Sequence, residues 1–258
     1  MPALHPMSNP AVDRYLELMQ KVLTGTLTER EPDIDDPAFV DSFLAHYIRG
    51  HAVTMTPRVR LDNARRCVED VLARDVPGDL LEAGVWRGGM TIFLRAVLAA
   101  QGDTARRVWV ADSFQGLPEP DAKRFPLEAR AHASKTMTED FQRFAVSLAD
   151  VRANFAAFDL LDDQVQFLVG WFKDTLPTAP IDRLAVLRLD GDYYESTMDT
   201  LTALHDKVSP GGYIIIDDYG ERLWTYCRRA VDEFRAARGI TAPLVRVDTK
   251  CYFWQKPA

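Results

Sequence analysis

The chain has 258 residues, of which 47% are hydrophobic and 27% charged, enough for a sizeable globular core. Its net charge is −7 with no run of Lys or Arg, so no nucleic-acid surface is expected. Three widely spaced cysteines argue against a disulfide framework, and no apolar run approaches the ~20 residues of a bilayer span. The first residues, MPALHPMSNP, lack the basic and apolar regions of a signal peptide. A cytoplasmic protein with no membrane partner is therefore expected.

Residues 1–10 are Pro-rich and expected to be disordered. Ala11–Leu23 reads as an amphipathic helix, Ala38–Arg49 as a second, and Thr56–Ala73 as a third. In the third, Thr56 is expected as N-cap with Pro57 at the first helical position. Asp79 then opens an apolar strand, and a helix follows at Met90–Ala99. Further strands are predicted at Arg107–Ser113, Val165–Val169, Leu184–Leu189 and Gly212–Ile216, with helices at Val151–Phe158, Tyr194–Lys207 and Trp224–Arg238. Leu244–Val247 and Tyr252–Gln255 read as two final antiparallel strands. Strands alternating with helices predict an α/β fold with a mostly parallel sheet. The expected division is a helical cap or oligomerisation region over 1–75 and a catalytic domain over 76–258. Residues 114–150 are too long for a simple connection and read as a lid insertion.

The first strand runs into a Gly-punctuated turn, Glu82–Gly89 (EAGVWRGG), at the N-terminus of a helix. Glycines allow a tight turn and close approach to a ligand, and free helix N–H groups point at it. The spacing is neither GxGxxG nor a P-loop, so an adenosyl ligand without a pyrophosphate fits better than a dinucleotide. Asp112, ending the second strand, suits ribose hydroxyls. The fourth strand ends in LRLDGD, with Asp190 and Asp192, and the fifth in IIIDDY, with Asp217 and Asp218. Carboxylates gathered there repel unless a cation sits among them, and an all-oxygen set suits Mg²⁺ or Ca²⁺. An adenosyl site beside such a metal points to methyl transfer to a hydroxyl. Asp192 is the candidate general base. Trp86, Trp171 and Phe172 could flank adenine or the sulfonium, although core packing is commoner for aromatics. His51 or His132 could reach an acceptor from a lid.

Several long segments carry a resemblance: VPGDLLEAGVWRGG, VWVADSFQGLP, LLDDQVQFLVGWFKDTLPTAP, LAVLRLDGDYYESTMDTL and VSPGGYIIIDDYG. From about Thr54 onward the chain resembles the macrocin O-methyltransferase family. The resemblance implies a class I (Rossmann-like) methyltransferase using S-adenosylmethionine and Mg²⁺ on deoxysugar hydroxyls of antibiotics. It implies a seven-stranded sheet in the order 3-2-1-4-5-7-6 and homo-oligomers built partly through the N-terminal region. Glu82 with Gly84, Val85, Trp86, Arg87 and Gly88 would lie at the methionine end of the cofactor. Asp112, Ser113, Phe114, Gln115 and Gly116 would border the ribose. Met55, Thr56, Trp171, Phe172 and Asp190 would also lie close to the cofactor. Asp190, Asp217 and Asp218 match the Mg²⁺ ligands, and Asp192 the base.

Three segments depart from the family: Pro57 stands where Ile is usual, the insertion 119–147 carries KTMTEDFQRF, and ERLWTYCRRAV follows IIIDDYG. They are expected to line the acceptor pocket, with Trp224 and Tyr226 placed to stack on a sugar or aglycone. The leading expectation is a sugar O-methyltransferase acting on a small-molecule glycoside. The alternatives are a Mg²⁺-dependent methyltransferase of a non-sugar diol or catechol, a nicotinamide-dependent oxidoreductase, and a non-catalytic adenosyl-binding protein.

Overall fold

The computed structural model describes residues 9–32, 43–48, 50–133, 143–220 and 225–257. Half of the expected helix Ala38–Arg49 falls outside these residues, as do Trp224 and most of KTMTEDFQRF. A single π-helical turn is present at Leu44–Ile48. Among the described residues, no helix is long and apolar enough to cross a membrane.

The N-terminal helices are α1 (Pro10–Leu23) and α2 (Arg58–Ala73), followed by β1 (Asp79–Ala83), α3 (Gly89–Ala100) and β2 (Val108–Asp112). The insertion contributes α4 (Pro126–His132), then α5 (Leu148–Ala157) leads to β3 (Val165–Val169). A short α6 (Phe172–Thr175) precedes β4 (Leu184–Leu189), α7 (Tyr194–Leu204) and β5 (Val208–Ile216). The chain closes with α8 (Thr225–Ala237), β6 (Val245–Arg246) and β7 (Tyr252–Gln255). The described residues form a seven-stranded sheet in the order β3-β2-β1-β4-β5-β7-β6, as the family resemblance implied. β1 to β5 pair in parallel, and β7 pairs antiparallel with both β5 and β6.

Both faces of the sheet are covered, as buried parallel strands require. On one face Leu80, Val108, Val110 and Ile215 share a core with α1, α2 and α3 through Leu16, Leu23, Leu61, Val68 and Phe93. On the other, Leu81, Trp109, Leu187 and Ile214 pack with Leu201 of α7 and Phe234 of α8. The period-2 alternation of strand side chains divides these two sets.

Two boundaries differ informatively from the sequence reading. Helix α2 begins at Arg58, with Pro57 rather than Thr56 at the N-cap. The Thr56 hydroxyl is taken by a buried arginine, and Glu31 Oε1 accepts from the Arg58 N–H at 2.8 Å instead. Strand β5 starts at Val208, before the Pro210–Gly212 segment that resembles a turn. Its register against β4 shifts between Leu184 and Val186, so Pro210 is accommodated at an irregularity rather than in the regular ladder.

Candidate active site

A cleft of about 470 Å³ opens at the C-terminal ends of the strands, the usual ligand position in open α/β sheets. Its shape follows from the turn after β1. A Cβ on Gly84 would lie 1.9 Å from the Asp190 carbonyl oxygen, so only glycine lets this turn approach the end of β4. Gly88, at φ 86°, caps α3. Trp86, Phe114 and Asp192 also hold positive φ, at 49°, 57° and 56°. Such conformations in non-glycine residues carry strain and tend to gather at functional sites.

Of the residues expected at a cofactor, Met55, Gly84, Trp86, Asp112, Ser113, Gly116, Trp171, Phe172 and Asp190 line the cleft, together with Asp192. Asp112 is fixed by the Val85 and Phe114 backbone N–H groups, each donating at 2.8 Å to a different carboxylate oxygen. Burial raises its pKa, opposed by these bonds. Ser113 Oγ donates to the Gly116 carbonyl at 2.9 Å and accepts from the Gln115 N–H at 3.0 Å, shaping the turn.

The other expected residues lie around the cleft rather than in its wall. The Phe114 ring packs on Phe167, and Val85 is buried. Arg87 turns away, donating to the carbonyls of Ile48, Gly50 and Ala52. Tyr226 packs edge-on against the buried Phe125, which stacks on Tyr194. His132 meets the Tyr193 hydroxyl at 3.2 Å, and neither His51 nor His132 lines the cleft.

Beneath the cleft, β1 and β4 place Glu82 directly beside Arg188 in the parallel register. Asp190 follows Arg188 by two residues and so lies on the same face. Asp217 enters at the same level, its N–H bonding the Leu189 carbonyl at 2.9 Å. Arg188 forms ion pairs with Glu82, Asp190 and Asp217, and Arg60 of α2 pairs with Asp217 and Asp248. Asp190, Asp217 and Asp218 each offer an oxygen within 4.8 Å of the others.

The electrostatics are uneven. Burial acts to raise Asp217, yet Arg188 and Arg60 outweigh it and hold this carboxyl below its ordinary value. Burial pushes Asp190 up to about 6, against the pull of Arg188. Glu82 rises to about 8 for the same reason. Asp218 is driven well above the carboxylate range by burial and then by Asp192, Asp190 and Asp217. Its Oδ2 is buried and has no hydrogen-bond partner among the described residues. Three converging hard oxygen donors, one of them an orphan in a field of like charge, fit a divalent cation such as Mg²⁺.

Glu119 and Phe144, in the insertion expected to line the acceptor pocket, are in the cleft wall, whereas sequence reasoning missed Lys173, Glu195, Ser196 and Asp199. The last three sit at helical spacing in the first turns of α7, directly after LDGDYY, which was a usable signal. It also passed over Arg188 and Arg60. The two-residue spacing of Arg188 and Asp190 within a strand would have placed both on one face, whereas nothing local marks Arg60.

The macrocin-O-methyltransferase (TylF) family matches residues 45–256 of the chain. The 8-demethyl-8-(2,3-dimethoxy-alpha-L-rhamnosyl)-tetracenomycin-C 4'-O-methyltransferase of Streptomyces olivaceus is 50% identical, over 98% of this chain and 96% of that protein. The demethyldecarbamoylnovobiocin O-methyltransferase of Streptomyces niveus is 48% identical, over 94% of this chain and 93% of that protein. The solved structure of the O-methyltransferase NovP matches with a TM-score of 0.83 at 47% identity, covering 96% of this chain and 100% of that one. The seven-stranded order is thus accounted for by a shared fold. The chain belongs to the macrocin-O-methyltransferase family and is an O-methyltransferase with the S-adenosylmethionine-dependent fold.

Proposed function

We propose that this enzyme transfers the methyl group of S-adenosylmethionine to a sugar hydroxyl of a glycosylated natural product, with Mg²⁺ held by Asp190, Asp217 and Asp218. The observation that carries the metal is the convergence of those three carboxylates within 4.8 Å. The acceptor class is supported by the Streptomyces olivaceus relative, whose name specifies a rhamnosyl tetracenomycin. Family membership sets aside the nicotinamide alternative.

When bound, Mg²⁺ lowers the pKa of a hydroxyl presented to it. The protein does the rest by placement and proton transfer. Asp112 has lone pairs left beyond its two backbone bonds and binds ribose hydroxyls. Trp171 and Phe172 flank the adenosyl group, and Met55 and Trp86 border the methionine end. Asp192, in the cleft wall, accepts the acceptor's hydroxyl proton. The oxygen forms a bond to the methyl carbon as the carbon–sulfur bond breaks, and its electron pair stays on sulfur in neutral S-adenosylhomocysteine. Alignment of oxygen, carbon and sulfur in one enclosed cleft supplies proximity.

The same reading takes 1–75 as a cap and oligomerisation region and 114–150 as a lid. Tyr15, Leu18 and Val22 of α1 are exposed at 38%, 50% and 36%, consistent with a partner surface there.

The test is a panel of deoxysugar glycosides and catechols incubated with S-adenosylmethionine and either Mg²⁺ or a chelator, read by mass spectrometry. Methylation of a glycoside that stops on chelation is expected. Methylation of catechols alone would move the enzyme to a non-sugar acceptor, and insensitivity to chelation would remove the metal.

A further inference from the structure

We propose that Arg188 is a positioning residue that holds Asp190 and Asp217 at metal-ligating geometry, a role that rests on the Mg²⁺ reading above. Arg188 is 1% exposed in the middle of the sheet. Its guanidinium makes four contacts, and they divide between its two terminal nitrogens. Nη1 donates to Glu82 Oε1 and, at 2.8 Å, to Asp190 Oδ2. Nη2 donates to Asp217 Oδ1 and, at 3.2 Å, to Thr56 Oγ1. Each nitrogen therefore holds one metal-ligand carboxylate and one anchor.

The anchors come from separate elements. Glu82 is fixed by β1 as the register neighbour of Arg188, and Thr56 by the segment entering α2. With both in place the planar fork has no freedom to turn. It keeps two carboxylates that repel each other at a set separation, each bound through one oxygen. Asp190 keeps its second oxygen for the site, and Asp217 keeps one lone pair on each oxygen after Arg60 is counted. Lysine could not do this, because an ammonium is a point charge without the fork geometry. Outer-shell partners of this kind commonly change metal affinity by about 10–100-fold.

A purely electrostatic role predicts the opposite sign. A cation next to a Mg²⁺ site repels the metal, so its loss would tighten binding. A positioning role predicts weaker binding even when the charge is kept.

The experiment is titration calorimetry of Mg²⁺ into the full chain saturated with S-adenosylhomocysteine, for wild type, Arg188→Lys and Thr56→Val. In Arg188→Lys the Mg²⁺ dissociation constant is expected to rise about 10–100-fold, with S-adenosylhomocysteine affinity unchanged. Wild-type or tighter Mg²⁺ affinity in that variant overturns the proposal. Thr56→Val decides the matter if Arg188→Lys fails to bind S-adenosylhomocysteine, a sign that it has not folded. It removes one anchor, and a loss of about fivefold in Mg²⁺ affinity, the scale of one hydrogen bond, is expected; no loss overturns the proposal. A wild type that binds S-adenosylhomocysteine but no Mg²⁺ overturns the metal reading itself, an outcome distinct from either.

Discussion

Trp86 donates its indole N–H to the Arg143 carbonyl at 2.8 Å, so the turn after β1 grips the far end of the insertion. The left-handed backbone of Trp86 turns its ring toward the cleft, which it also lines. Replacing Trp86 by Phe keeps an aromatic ring and removes this bond, worth about 1 kcal/mol. The expected result is a several-fold rise in acceptor KM with a smaller change in kcat, measured by steady-state kinetics.

Arg87 performs a parallel task on the other side. Its guanidinium donates to Ala52 at 2.6 Å, Ile48 at 3.1 Å and Gly50 at 3.2 Å, and stacks over Trp86 at 4.1 Å. It thereby fixes the segment that leads to Met55 in the cleft wall. Arg87→Met leaves three carbonyls without this donor. Because misplacement by about 1 Å can cost about a hundredfold in rate, kcat/KM is expected to fall by tenfold or more, on the order of that effect. Arg87→Lys is expected to recover little, since one ammonium cannot span three carbonyls in this fixed arrangement.

Asp192→Asn tests the base. The amide keeps the shape and cannot accept the proton. A fall in kcat of about 10²–10⁴-fold is expected, while calorimetry should show unchanged S-adenosylhomocysteine binding. Retention of full activity would transfer the role to another group.

Glu128 sets a pH dependence. It sits on α4 of the insertion and accepts the Tyr194 N–H at 3.0 Å at the start of α7. Burial pushes its pKa up to about 7, with Glu195 adding and the Tyr194 bond opposing. A raised carboxyl favours the protonated folded state, so its stability contribution is complete below its ordinary pKa of 4.5 and is lost as pH rises through about 7. Thermal melts should show Tm falling between pH 5 and pH 8 on the order of the pKa window named, with a shallower fall in Glu128→Gln.

Much of the scaffold was legible because buried strands write themselves as apolar runs ending in Asp. Asp112, Asp190 and Asp217 were found that way, and β3, β4 and β7 lie where they were expected. The strand order came from long matching segments, since periodicity cannot say which strands are neighbours. Register is equally hidden, so no local pattern places Glu82 beside Arg188 across the ladder. Arg60 reaches Asp217 across 157 positions of sequence, a contact no local pattern encodes. Thr56 carried a genuine N-cap signal, but a buried guanidinium competed for its hydroxyl and won.

The most direct test of the metal-dependent account is Mg²⁺ titration into the S-adenosylhomocysteine complex of wild type and Asp218→Asn. The amide would keep the shape of the side chain and remove the cost of burying a carboxylate there, together with its repulsion from Asp192, Asp190 and Asp217. The account predicts a single Mg²⁺ site in wild type, its loss in the variant, and a higher Tm for the variant without metal. Wild-type protein that binds S-adenosylhomocysteine and shows no Mg²⁺ site, or a variant that binds Mg²⁺ as well as wild type, would contradict it.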